Sequence, residues 1–393
     1  MFSNRSNWNL SPNFLEVILE QKRAKGEHIL DLTGSNPTTA GFSYPVDLIL
    51  SALAQSEAMF YEPHPKGLFG ARQAIAGYYK ELGKTVDPDS IFITASTSEA
   101  YSLVFKLLAD TGDEILIPQP GYPLLSYLGG LESLTCIYYP LRYDQEYGWK
   151  IDIDTLRAVI SPRTKAIVLV SPNNPTGSYI KEHELEALLR IAYEHGLALI
   201  IDEVFSDFFS RDDPDRVRTA VNAAPDTLFF VLNGLSKLVG LPQLKLGWIV
   251  VNNDAQFGRE ASARLEMIND FYLSASSPAQ IAVESLLAMR EDIQRQVRCR
   301  LSVNYSFLEK RFSKTTNVRV LKREGGWYAI LEFFDDISDD DRALSMLELD
   351  NVFAHPGYFY EFSQEGFMVF SLLTPHEEFK LGVDKIASRF SKG

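Results

Sequence analysis

The sequence predicts an α/β protein with a large domain, a mostly parallel seven-stranded sheet between helices. A smaller α+β domain comes from the N- and C-terminal segments. Two observations predict this. Seven short apolar runs occupy 91–94, 114–118, 135–139, 166–170, 198–202, 228–232 and 246–251. Helix-period stretches at 97–109, 122–130, 152–160 and 181–194 separate several of them. Apolar runs without alternation suit strands buried on both faces, and helical crossovers make neighbouring strands parallel.

The flanks have a different pattern. Residues 12–25 follow Ser11-Pro12, a helix-start signal, and repeat apolar residues at helical spacing. Residues 254–312 read as long helices broken near Ser276-Ser277-Pro278. Strand-like runs at 327–333, 351–354 and 367–372 then alternate with helices at about 340–349 and 376–391. The expected division is an N-terminal arm with part of the small domain (1–44), the large domain (45–275) and the small C-terminal domain (276–393).

Composition narrows the function. The 393 residues carry 38 Lys+Arg against 52 Asp+Glu, a formal charge of −14. Nucleic acid is not the expected partner, because binding phosphates needs a basic footprint. The two cysteines, Cys136 and Cys299, form no disulfide framework and fit a reducing compartment. The six histidines show no metal-ligand spacing, so no metal is expected. No apolar run approaches the roughly 20 residues of a membrane helix, and residues 1–11 lack the apolar core of a signal peptide. A cytoplasmic protein without a membrane partner is the expectation.

Four segments at strand exits carry chemistry. Ser171-Pro172-Asn173-Asn174-Pro175-Thr176-Gly177 follows the 166–170 run. Its plain reading is a turn, but the carboxyl ends of strands are where α/β sheets bind ligands, and Asn174 offers an amide. Asp202 ends an apolar run; a buried carboxylate there needs a cap, an ion pair or a cationic ligand group. Lys237 follows the 228–232 run, where a lysine is either solvated or, if desolvated, a Schiff-base nucleophile. Thr94-Ala95-Ser96-Thr97-Ser98-Glu99 opens a helix, either as an ordinary cap or as a phosphate site.

The order of these segments resembles the pyridoxal-phosphate-dependent aminotransferases of fold type I, class I/II. The resemblance covers nearly the whole chain. It includes Asp31-Leu32-Thr33-Gly34-Ser35-Asn36-Pro37-Thr38, Tyr61, Gly67-Leu68-Phe69-Gly70-Ala71-Arg72 and Pro120-Gly121-Tyr122-Pro123. It continues through the Ser171–Gly177 loop, Asp202-Glu203-Val204-Phe205 and residues 236–248.

The resemblance implies a transaminase whose Lys237 forms the internal aldimine with pyridoxal 5'-phosphate and shuttles a proton. Asp202 would hold the ring nitrogen protonated, and Asn174 would bond the ring's 3-oxygen. Tyr122 would stack on one ring face, with an apolar residue near Val204 on the other. Ser96, Thr97 and Lys245 would hold the phosphate. Tyr61 would reach the phosphate of a second copy, implying a homodimer. Ser35 and Asn174 would face the substrate, an amino donor and then a keto acid. A lyase, decarboxylase or condensing enzyme on the same fold remains an alternative, as does a non-catalytic pyridoxal-phosphate-binding protein.

Several positions depart from the family pattern. Lys245 stands where an arginine is usual, Gly234 where a serine is common, and Phe205 where a tyrosine usually donates to the 3-oxygen. Val369 takes the place of an arginine that binds α-carboxylates. Arg5, Lys322 and Arg323 are candidate replacements.

Overall fold

The computed structural model describes residues 1–223, 226–254 and 257–390. Its main sheet runs, edge to edge, Ile91–Thr94, Gly247–Val251, Phe229–Gly234, Ala198–Asp202, Thr164–Val170, Glu114–Gln119, Thr135–Asp144 and Gly148–Ile151. The five strands from Phe229–Gly234 to Thr135–Asp144 are mutually parallel. Gly247–Val251 is antiparallel to both its neighbours.

All seven expected strands are present, and an eighth joins them. Thr135–Asp144 runs five residues past its expected end and turns back into Gly148–Ile151. That edge hairpin is polar enough to escape an apolar-run criterion.

Alternate residues of each strand enter opposite cores. Ile91, Ile93, Leu199, Ile201, Phe229 and Val231 pack on one side. Phe92, Ala198, Ile200, Phe230 and Leu232 pack on the other. Both faces are apolar because both are covered, which is why the strands do not alternate in sequence.

The four antiparallel strands Val318–Val320, Tyr328–Phe333, Phe367–Ser371 and His355–Pro356 form a second sheet. A further parallel pair joins Leu30–Asp31 to Val352–Phe353, so the N-terminal segment is tied to the C-terminal one. The first helix is Phe14–Ala24, capped by Asn13 rather than by Ser11: Asn13 Oδ1 accepts from Leu15 N at 2.8 Å. The 254–312 stretch forms three helices, Gly258–Asp270, Ser277–Ala288 and Arg290–Phe312, with a second break at Met289. Residues 255, 256 and 391, which fall within expected helices, lie outside the described residues. Among the described residues no helix is long and apolar enough to cross a membrane.

Candidate active site

Strand register brings the sequence motifs to the same end of five adjacent strands of the main sheet. Thr94 pairs with Gly247, Gly247 with Gly234, Leu232 with Asp202, and Asp202 with Val170. The segments that carry Ser96, Lys237, Asp202 and Asn174 therefore leave the sheet side by side.

Asp202 is buried. Its Oδ1 accepts from Val204 N at 3.0 Å and its Oδ2 from the Tyr101 hydroxyl at 2.9 Å. Burial pushes its pKa up to about 6; the two hydrogen bonds and the Lys237 charge pull the other way.

Lys237 sits in the short helix Leu235–Leu238. Its Nζ lies 5.1 Å from the Trp327 ring centre and 5.7 Å from that of Phe205. Desolvation lowers its pKa, and the Asp202 charge offsets part of that. Phe205 and Trp327 meet edge to face, 5.2 Å between centres. Phe205 has no hydroxyl, so it brings no phenolic donor to this wall.

The Ser171–Gly177 loop is held from within. Gly177 N donates to Asn173 O at 2.8 Å, and Thr176 Oγ1 to Asn173 Oδ1 at 3.1 Å. Gly177 has φ +70°, and a Cβ there would lie 2.4 Å from Gly325 O, so only glycine fits. Asn174 is buried, and among the described residues its Oδ1 has no hydrogen-bond partner.

Ser96 caps the helix Thr97–Leu108, its Oγ accepting from Glu99 N at 3.2 Å. A Cβ on Gly247 would lie 2.9 Å from both Thr97 N and Ser96 C, so that glycine lets the strand approach the helix start. Two backbone donors here are already used: Glu99 N, and Ala95 N, which gives to Glu99 Oε2 at 2.6 Å. Lys245 is exposed two residues before Gly247, in the left-handed region at φ +50°.

Other expected residues are less enclosed. Tyr122 is 47% exposed and Tyr61 is 77% exposed, so neither is enclosed by its own chain. Val204 is half-buried. Ser35 and Tyr360 lie beside the Tyr328 phenol, and the Tyr328 and Tyr360 rings meet edge to face, 5.8 Å between centres.

Val369 is buried in the second sheet, paired with Ile330 and His355. Each of the three basic candidates already donates to a backbone carbonyl. Arg5 donates to Leu131 O at 3.3 Å, and Lys322 to Glu146 O at 2.8 Å. Arg323 donates to Gly325 O at 3.2 Å and Gly326 O at 2.6 Å.

The residues present fit pyridoxal phosphate. Among the described residues, seven buried side-chain polar atoms lack a hydrogen-bond partner. Three belong to this neighbourhood: Asn174 Oδ1, Asn233 Nδ2 and Trp327 Nε1. Unpaired buried polar atoms are costly, and a polar ligand bound beside them would offset part of that cost. A desolvated amine suits an aldehyde, a buried carboxylate suits a protonated ring nitrogen, and a helix start suits a phosphate.

No sequence motif points to Tyr101 or Tyr328. Tyr101 reads as one more apolar-face residue of its helix. Trp327 is 90 positions from the lysine it touches.

The chain's relatives agree with this chemistry. The family pattern described as "Aminotransferase class I and II" matches residues 27–386. The glutamate-pyruvate aminotransferase AlaA of Escherichia coli K12 is 32% identical over 280 residues, 70% of this chain and 68% of that one. The alanine aminotransferase of Mycobacterium bovis is 29% identical over 344 residues, 85% and 79% of the two chains. The solved alanine aminotransferase of Pyrococcus furiosus superposes with a TM-score of 0.89 at 25% identity, covering 100% of both chains. The chain therefore belongs to the class I and II aminotransferases, and its reaction is pyridoxal-phosphate-dependent transamination.

Proposed function

We propose that Lys237 holds the cofactor and moves the proton as an amino group passes from an α-amino acid to a keto acid. The observation that carries this is the Lys237 amine, taken out of water between two aromatic rings and within the field of the Asp202 carboxylate. The electron sink for the breaking Cα–H bond is supplied by bound pyridoxal phosphate. Burial lowers the Lys237 pKa, so more of its Nζ is neutral and able to take that proton than in a solvated lysine.

The other roles follow from chemistry. Asp202 keeps a negative charge beside the ring nitrogen and so retains that nitrogen's proton. Asn174 bonds the ring's 3-oxygen. Ser96, Thr97 and Lys245 hold the phosphate, and Tyr122 covers a ring face. With Val369 apolar and Arg5, Lys322 and Arg323 each donating to backbone carbonyls, Asn174 and Ser35 hold the donor's carboxylate through neutral hydrogen bonds.

The site is completed in a homodimer, with Tyr61 reaching the phosphate of a second copy. Support comes from the exposure of Met59, Phe60, Tyr61, Phe69, Phe271 and Tyr272, because exposed apolar surface marks interfaces. The two free cysteines fit a cytoplasmic location. The division into 1–44, 45–275 and 276–393 rests on the two separate sheets; the helix Ser277–Ala288 nevertheless packs on Val46–Leu53 and Phe69–Glu81 of the large unit.

The names of the relatives support alanine and glutamate as donors and pyruvate as a keto acid. The test is to load the protein with pyridoxal phosphate and follow its absorbance while adding alanine, glutamate and a panel of amines. Conversion to the pyridoxamine form by alanine or glutamate supports the reading. Conversion only by amines that lack a carboxylate would overturn the donor assignment.

A further inference from the structure

We propose that Tyr101 is a positioning residue for the Asp202 carboxylate, orienting it toward the cofactor's ring nitrogen. This rests on the role of Asp202 given above.

Tyr101 lies one turn into the helix Thr97–Leu108, four residues beyond Thr97. One helix therefore serves both the phosphate end and the ring-nitrogen end of the site. Its phenol is buried, and it reaches Asp202 Oδ2 at 2.9 Å across 101 residues of sequence. Its ring is fixed by a tilted contact with Phe105, 5.8 Å between centres. Burial and the neighbouring carboxylate keep the phenol protonated, so it stays a donor.

The geometry divides the carboxylate between two donors. Val204 N holds Oδ1 and Tyr101 holds Oδ2. A carboxylate oxygen has two lone-pair sites, so each keeps one for a ligand. With one donor on each oxygen, the plane of the carboxylate is set before any ligand arrives. The other charged or titratable groups around it are Lys237, the adjacent Glu203 and Tyr139. Tyr139 is committed to Val168 O at 2.8 Å, so it does not replace Tyr101.

The test is a double-mutant cycle on the affinity of the cofactor-free protein for pyridoxal phosphate, read by quenching of tryptophan fluorescence. Tyr101→Phe keeps the ring and removes only the donor. It should weaken affinity on the order of tenfold, the scale of a hydrogen bond to a charged group. Asp202→Ala should weaken it further. The double variant should then be no weaker than Asp202→Ala alone, because Tyr101 acts through Asp202.

A pH series adds a second readout. Wild-type affinity should fall as pH drops through about 6, where Asp202 takes up its proton. In Tyr101→Phe that fall should begin at higher pH, because the charged form has lost a donor. Asp202→Asn serves in place of Asp202→Ala if the alanine variant does not fold.

Equal weakening by Tyr101→Phe in both backgrounds would mean a packing role and would overturn the proposal. Unchanged affinity in Tyr101→Phe would also overturn it. If Asp202→Ala alone binds like wild type, the reading of Asp202 itself fails and takes this proposal with it.

Discussion

Lys237 Nζ lies 5.1 Å from the centre of the Trp327 ring, and Trp327 is wholly buried. The lysine is carried by an exit of the main sheet. The tryptophan immediately precedes Tyr328–Phe333 of the second sheet. The amine is thus desolvated by a wall that the other sheet supplies, and its lowered pKa depends on how the two sheets meet.

Lys237→Ala should abolish the covalent attachment of pyridoxal phosphate and lower turnover at least about 10³-fold, within the range for loss of a positioned general base. Absorbance of the purified variant and single-turnover kinetics with alanine check this. An unchanged absorbance band would place the attachment on another amine.

Glu203 makes stability depend on pH. It is buried, accepts from Ala220 N at 2.7 Å, and burial raises its pKa to about 8 from the usual 4.5. Asp202, Asp207 and Thr219 are its other neighbours. Between those two values the folded protein keeps a proton that the unfolded chain releases. Stability from this group is therefore present below about 4.5 and is lost as pH rises to 8, by up to about 1.4 kcal/mol per pH unit. Unfolding curves of cofactor-free Glu203→Gln should show a shallower decline over that window than wild type. Parallel profiles would contradict the assignment.

Gly247→Ala would place a Cβ 2.9 Å from the backbone at Ser96 and Thr97. Strand and helix must separate, so a stability loss of about 1–3 kcal/mol is expected, together with weaker cofactor binding. Denaturant unfolding and equilibrium titration measure the two. A variant unchanged in both would show that the helix start yields at no cost.

The proposed homodimer predicts a sedimenting species of twice the 44.3 kDa chain mass. Tyr61→Phe should leave that mass unchanged and weaken pyridoxal-phosphate affinity several-fold, because one phosphate donor is lost. A monomeric wild type that binds the cofactor tightly would remove Tyr61 from the site.

The seven main strands and most helices were legible because their signals are local. Apolar run length reports burial on both faces, and helical spacing reports a covered stripe. The edge strand Gly148–Ile151 was not legible, because only Gly148 and Trp149 of its four residues are buried and Lys150 interrupts the apolar pattern. Nor was the second helix break at Met289, which has no proline or glycine to mark it.

By itself the sequence determined the order of elements, the strand exits that bear Ser96, Asn174, Asp202 and Lys237, and the family. Those depend on residue type and spacing along the chain. The tertiary structure alone decided that Gly247–Val251 runs antiparallel between two parallel strands. It also decided that Tyr101 holds Asp202 and that Trp327 shuts Lys237 from water. These are contacts across roughly ninety residues or more, or pairings whose direction no local pattern encodes. The pKa of Asp202 or Lys237 belongs to the same class, because it is set by the solvent and charge that the assembled fold leaves around the group.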